Sequence, residues 1–145
     1  MTGHHELRCT VHPFGALSPL RFVVVCSFLN GQMLLSYHSG HRSWETQGGH
    51  SEEGETPEDA ARRELYEESG AADAELLPVC DYNAYDLEGS SNGRVYAAVI
   101  RRLDPLPPNE MSRVRAFDDF PDSLTYPLVT PVLFRDARKV VGRRG

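Results

Sequence analysis

The sequence predicts an α/β domain, of the α+β kind, with helices layered on a mixed sheet. Three observations carry this. β-branched and aromatic runs alternate along the chain with two helix-forming stretches. Two of those runs flank Asn30-Gly31, a dipeptide that turns an antiparallel hairpin because both of its residues tolerate positive φ. Strands and helices are interleaved, so the helices must cover faces of the sheet. The 145 residues suit one compact domain, 1–145, long enough to bury a core without staples.

The elements follow in chain order. After a loose start rich in His, Pro and Gly, Leu20–Phe28 reads as a strand and Gln32–Tyr37 as its hairpin partner. A Gly-rich loop spans Gly48–Gly54. A helix is expected over Pro57–Ser69, with Thr56 as its N-cap, Pro57 at the first helical position, acidic residues in the first turn and Gly70 as its stop. A strand pair is expected near Glu75–Tyr82 and Arg94–Arg102, joined by a polar loop around Gly89-Ser90-Ser91-Asn92-Gly93. Val114–Phe117 reads as a short strand. The last element is a helix capped by Thr130, with Pro131 at its start and Gly142 past its end; Leu133, Ala137, Val140 and Val141 form an apolar stripe along it.

Composition narrows the function. With a formal charge of −6, the chain offers no field to a nucleic-acid backbone, which argues against a nucleic-acid partner. The longest apolar run, Phe22 to Leu29, is too short to span a bilayer, and no signal peptide opens the sequence, so a cytoplasmic location is expected. Cys9, Cys26 and Cys80 are odd in number and widely spaced, which fits free thiols and neither a disulfide framework nor a zinc site.

The segment richest in chemistry runs from Gly49 to Ala71. Glu64, Glu67 and Glu68 are spaced i, i+3 and i+4, so a helix brings them to one face within an arc of roughly 100°. Three like charges there repel one another. A hard divalent cation, which prefers oxygen ligands, would offset that repulsion. Glu55 could add a fourth carboxylate if its loop folds back, and Arg63 stands beside the cluster, able to pair with a loop carboxylate.

Gly49, five residues, Glu55, seven residues and then Arg63-Glu64-Leu65-Tyr66-Glu67-Glu68-Ser69-Gly70-Ala71 resembles the Nudix box of the MutT-like hydrolases at every fixed position. The box spans residues 49–71, and Trp44 and Gly48-Gly49 also resemble the approach to it. Where many relatives carry a proline before the Gly pair, this chain has Gln47, and Ala71 is a small residue for the closing apolar position. The resemblance implies a mixed β-sheet sandwiched between helices, with the box as a catalytic loop-helix-loop binding Mg²⁺ or Mn²⁺. It also implies hydrolysis of a phosphoanhydride in a nucleoside-diphosphate-linked compound, a small-molecule partner. An oxidised or ordinary nucleoside triphosphate split to monophosphate and pyrophosphate is the preferred substrate. Nucleotide sugars, ADP-ribose, dinucleoside polyphosphates and a catalytically silent nucleotide sensor stay open, as does a homodimer.

Carried over residue by residue, Glu64, Glu67 and Glu68 match the metal-binding glutamates. Glu55 matches the loop glutamate that joins them, and Gly49 is grouped with this metal set. Arg63 matches the arginine that organises the loop, and Gly54 and Gly70 serve its turns. The general base is either a box glutamate or a later acidic residue, for which Glu110 is the candidate. Arg42 and Arg94, with Arg21 behind them, are candidates for phosphate contacts; Trp44 and Tyr85, with Tyr82 as an alternative, are candidates for stacking on a base.

Overall fold

The computed structural model of the chain describes residues 4–144. Its strands are β1 (Arg8–His12), β2 (Phe22–Leu29), β3 (Gln32–His38), β4 (Ser43–Glu45), β5 (Gln47–Gly49), β6 (Ala71–Asp86), β7 (Gly89–Leu103) and β8 (Met111–Phe117). Its α-helices are α1 (Pro57–Ser69) and α2 (Thr130–Arg143). The strands form one mixed sheet in the order β1-β6-β7-β2-β3-β4, with β5 also on β2 and β8 also on β3. β2 and β7 run parallel, and the other strand pairings are antiparallel.

β2 sits at the centre, which explains its unbroken apolar sequence. Because side chains alternate across a strand, Val24, Cys26 and Phe28 enter the core under α2, while Val23 and Val25 enter the core under α1. A helix thus covers each face. On the α1 side the helix meets the sheet through Ala60, Ala61 and Leu65. Both alanines are fully buried, and their small size lets the helix lie close to the strands. The Thr56 hydroxyl accepts a hydrogen bond from Asp59 N–H, Pro57 opens the first turn, and Gly70 ends the helix in the left-handed conformation at φ 82°. The hairpin between β2 and β3 also turns as expected, with Asn30 at φ 51° and Gly31 at φ 81°.

Four expectations need correction. The N-terminal segment is not all loose: β1 pairs with β6, from Arg8 against Tyr85 to His12 against Asp81. It is an edge strand with a mostly exposed sequence, held by backbone pairing, so no hydrophobic period announces it. Gly48 and Gly49 belong to β5, which pairs with Val23–Val25 of β2, and are not loop. The expected loop around Gly89–Gly93 is strand, because Asp86 Oδ1 accepts from the N–H groups of Glu88 and Gly89 and confines the reversal to Leu87-Glu88. Finally, Val129 is the cap residue of α2 and makes no side-chain cap bond, while Gly142 lies inside the helix. Burial of Val129, Thr130, Leu133 and Phe134 sets that helix start in place of a polar cap. The three thiols are free; burial pushes Cys80 up to about 12 and also raises Cys26, so both stay protonated and inert.

Arg94, expected at a phosphate, instead pairs in a fork with the fully buried Asp81, Nε to Oδ1 at 2.7 Å and Nη2 to Oδ2 at 3.0 Å. Burial alone would raise the Asp81 carboxyl; the Arg94 side chain and the N–H groups of Leu17 and Gly15 outweigh it and hold the carboxyl below its usual value. Asp81→Asn is expected to destabilise the fold by about 2 kcal/mol, since Arg94 then lies half-sheltered without its counter-charge. A depressed carboxyl gives stability that is present above its unfolded value of 3.8 and lost as pH falls through the lower folded value. Acid titration of wild type should therefore show a loss below about pH 4 that the variant lacks; superimposable acid limbs would refute this role.

Candidate metal and nucleotide site

Arg63 organises the box. Its Nε and Nη2 donate to the two oxygens of Glu55 at 2.7 and 2.9 Å, Nη1 donates to Glu64 at 2.7 Å and Glu67 at 3.1 Å, and Nη2 also reaches the His50 carbonyl at 3.1 Å. One guanidinium therefore ties the loop to the helix. Glu55 also accepts from Glu52 N–H at 2.7 Å, and Arg63 first, then this backbone bond, hold its carboxyl down at about 2. Both Glu55 oxygens are committed to the loop, so the structure places this glutamate as the latch of Arg63 and not among the residues lining the acidic cleft.

That cleft, of about 250 Å³, is lined by Glu64, Glu67, Glu68, Pro107, Pro108, Asn109 and Glu110. The loop before β8 is brought over α1 by Asn109, whose side-chain amide donates to the Glu67 carbonyl. Glu110, the later acidic residue expected from the sequence as a candidate general base, thereby lies in the same cleft as the box glutamates. Burial pushes Glu68 up to about 8, with the charges of Glu64, Glu45 and Glu110 adding to the rise and the Gly48 N–H, which donates to Glu68 at 2.8 Å, opposing it. Burial likewise raises Glu64, against the pull of Arg63. The residues lining the cleft include four carboxylates and no cation. Such a set of hard oxygen donors, with Glu64 and Glu68 both raised by burial, fits a divalent cation.

Two close approaches hold the glutamates against the sheet. A Cβ on Gly49 would lie 2.8 Å from the Glu64 carboxylate. The Ser36 hydroxyl donates to the Glu68 carbonyl at 2.7 Å. Gln47 supports both: fully buried, it accepts from the Ser27 hydroxyl at 2.6 Å and donates to Ser36 at 2.9 Å and to the Leu34 carbonyl at 3.3 Å. The residue that stands in place of a proline is thus a hydrogen-bonded brace between β2, β3 and β5.

Beside Gly48-Gly49 opens a second cavity of about 290 Å³, walled by Phe22, Val24, Tyr82, Tyr126 and Leu133, with Glu45 as its one acidic residue. The residues expected to contact substrate lie elsewhere, apart from the alternative Tyr82. Arg42 is exposed in the turn before β4. Trp44 is buried in the core, packed edge-on against Tyr37 and Phe117. Tyr85, 38% exposed, faces a groove shared with Arg8 and Leu87. Sequence reasoning missed Glu45, Phe22 and Tyr126, which carry no motif; only their proximity to the Gly pair in space marks them.

His38, His41 and Glu45 also place possible ligand atoms within 4.8 Å of one another. Here those groups bond to each other and to their surroundings: His41 Nδ1 meets Glu45 Oε2 at 2.5 Å, and His38 Nδ1 accepts from the His41 N–H at 3.0 Å.

The family model of the NUDIX domain matches residues 19–124. The chain belongs to the Nudix family. The Nudix fold extends through most of it: a crystal structure of a Bacillus subtilis pyrophosphohydrolase superposes with a TM-score of 0.77 at 22% identity, covering 92% of this chain and 90% of that one. The NUDIX domain of a Shewanella oneidensis protein bound to ADP-ribose superposes with a TM-score of 0.69 at 21% identity, covering 86% and 90% of the two chains. Among curated proteins, an RNA pyrophosphohydrolase of Tolumonas auensis is 48% identical over 48 residues, 33% of this chain and 27% of that protein. Another, from a Sulfurovum species, is 42% identical over 55 residues, 37% and 35% of the two. The chain thus matches about a quarter to a third of the length of these curated relatives. Nudix hydrolases use divalent metals, and the Nudix box here keeps the oxygen donors for one. No helix among the described residues is long and apolar enough to cross a membrane.

Proposed function

We propose that this chain is a divalent-metal-dependent hydrolase that cleaves a phosphoanhydride in a nucleoside 5′-triphosphate, releasing pyrophosphate and leaving a 5′-monophosphate. One observation carries the reading: Glu64, Glu67, Glu68 and Glu110 line a single acidic cleft within reach of the Gly48-Gly49 strand and its apolar neighbour cavity. Glu64, Glu67 and Glu68 would hold Mg²⁺ or Mn²⁺, which when bound neutralises anhydride oxygens and lowers the pKa of a coordinated water. Arg63 keeps Glu64 and Glu67 in place, the Gly48 N–H holds Glu68, and Glu55 keeps Arg63 in place. Glu110, exposed at the rim, is positioned to take the proton of the attacking water on a carboxylate oxygen. The adjoining cavity, with its aromatic walls, receives the nucleoside. The curated relatives are named RNA pyrophosphohydrolases, which extends the same chemistry to a phosphoanhydride on RNA.

The test is Mg²⁺-dependent release of phosphate or pyrophosphate from nucleoside triphosphates, a 5′-triphosphorylated oligoribonucleotide, nucleotide sugars, ADP-ribose and dinucleoside polyphosphates, with Glu68→Gln as blank. Pyrophosphate release from a triphosphate, absent in the blank, is expected. Metal binding with no turnover on the whole panel would overturn the reading in favour of a nucleotide sensor.

Gly49→Ala offers a finer check. The added methyl displaces the end of the flexible Glu64 side chain and leaves the fold alone. Turnover should fall about 10–100-fold with the melting temperature nearly unchanged, since small misplacements of reacting groups cost rate more than stability. Wild-type turnover in this variant would remove Glu64 from the metal set.

A further inference from the structure

We propose that Glu45 is the base-reading residue of the apolar cavity, and that it selects a guanine-type edge, one presenting adjacent N–H donors. The inference rests on the cavity receiving the nucleoside. Glu45 is 8% exposed, at the end of β4, and lines the cavity together with Phe22, Tyr82 and Tyr126. Its Oε2 is fully used: it accepts from the Thr125 hydroxyl at 2.8 Å and meets His41 Nδ1 at 2.5 Å. Thr125 is itself buried and hydrogen-bonded to the Ser43 hydroxyl. The carboxylate is therefore fixed by groups from separate segments. Oε1 takes no hydrogen bond among the described residues, and no buried side-chain oxygen or nitrogen there lacks a partner, so Oε1 stays accessible on a residue that lines the cavity.

A preorganised acceptor at the end of an aromatic slot discriminates by hydrogen-bond polarity. Oε1 has two open lone pairs. Guanine places N1–H and its 2-amino group side by side and can satisfy both. Uracil offers one N–H between two carbonyl oxygens, and those oxygens would face a carboxylate with no donor to receive them. An acceptor site left unpaired, or set against another acceptor, costs far more than a poorly filled apolar wall. The walls bind any planar ring; Glu45 chooses among them.

The nature of the clamp predicts what Glu45→Gln does. Thr125 donates to the Oε2 position, so the glutamine carbonyl occupies it and the amide NH₂ turns to the cavity. A donor then stands where the acceptor stood. The variant should lose its preference for guanine and turn towards uracil, a change of direction that simple damage to the site would not produce.

The experiment titrates GMP, AMP and UMP, which carry no anhydride to cleave, into the full-length protein and follows amide shifts of Gly48 and Gly49. Wild type is expected to bind GMP about 10–100-fold more tightly than UMP, with AMP between them, the range of one to two hydrogen bonds to a charged group. Glu45→Gln should bring the GMP/UMP ratio to about one or below. Thr125→Val, which frees the carboxylate without changing its charge, should weaken the ratio less. Equal affinity of wild type for GMP and UMP overturns the proposal, and so does a Glu45→Gln variant that loses all three ligands in proportion. Because no bond is cleaved, a failed hydrolase assay with the GMP preference intact would refute the proposed reaction and keep the slot. Hydrolysis abolished by Glu68→Gln, but with no base preference, would do the reverse.

Discussion

Glu68→Gln should lower metal-dependent turnover by about 10³-fold or more while the fold stays intact, because several kcal/mol of charge stabilisation by a bound metal is lost with one carboxylate. The side chain is isosteric, and the Gly48 N–H still finds an oxygen to donate to. Removing a charge that burial and the neighbouring Glu64, Glu45 and Glu110 all disfavour should also stabilise the metal-free protein, so the variant should melt higher than wild type in chelator. Mg²⁺ should reverse the order, raising wild type more than the variant, since a ligand that binds the native state stabilises it in proportion to affinity. Thermal melts with and without Mg²⁺, beside turnover, check all three statements. Equal Mg²⁺ shifts in the two proteins, or near-wild-type turnover in the variant, would show that the metal sits elsewhere.

Arg63→Ala is expected to cost about as much rate by a different route. It touches no metal, but it removes the partner of Glu55, Glu64 and Glu67 and the donor to the His50 carbonyl at once. The loop then loses its tie to α1, and the carboxylates lose the geometry that substrate positioning requires; about 10²–10³-fold in turnover follows from misplacement of this size. Arg63→Lys should recover little, because an ammonium cannot serve four acceptors in fixed directions as the planar fork does. Glu55→Gln isolates the latch: it keeps the cleft carboxylates and should lower turnover less than Arg63→Ala. If Glu55→Gln matched Glu68→Gln in metal affinity loss, Glu55 would be a ligand after all, as the sequence suggested.

How much was legible depended on the range of the interactions. α1 is found at its predicted bounds because its signals are local: Thr56 caps a group three residues on, and Gly70 closes onto Tyr66. The hairpin at Asn30-Gly31 is likewise set by its own two residues. β1 was not legible, since an exposed edge strand is held by pairing with a segment some 70 residues away and has no buried face of its own. The same limit applied to the substrate residues. Trp44 and Arg94 have the right chemistry for a nucleotide, but Trp44 is consumed by the core and Arg94 by Asp81.

By itself, the sequence determined the mixed α/β class, the family and the face of α1 that carries Glu64, Glu67 and Glu68, because helical periodicity and capping act within a turn. Only the tertiary structure decided which residues join them. It folded the Asn109-Glu110 loop onto α1 across 42 residues of chain and fixed Glu45 with Thr125 across 80. It also turned Gln47 from an oddity in the motif into the brace beneath it. Those contacts depend on how the sheet is ordered and which face each helix covers, and no local spacing encodes either.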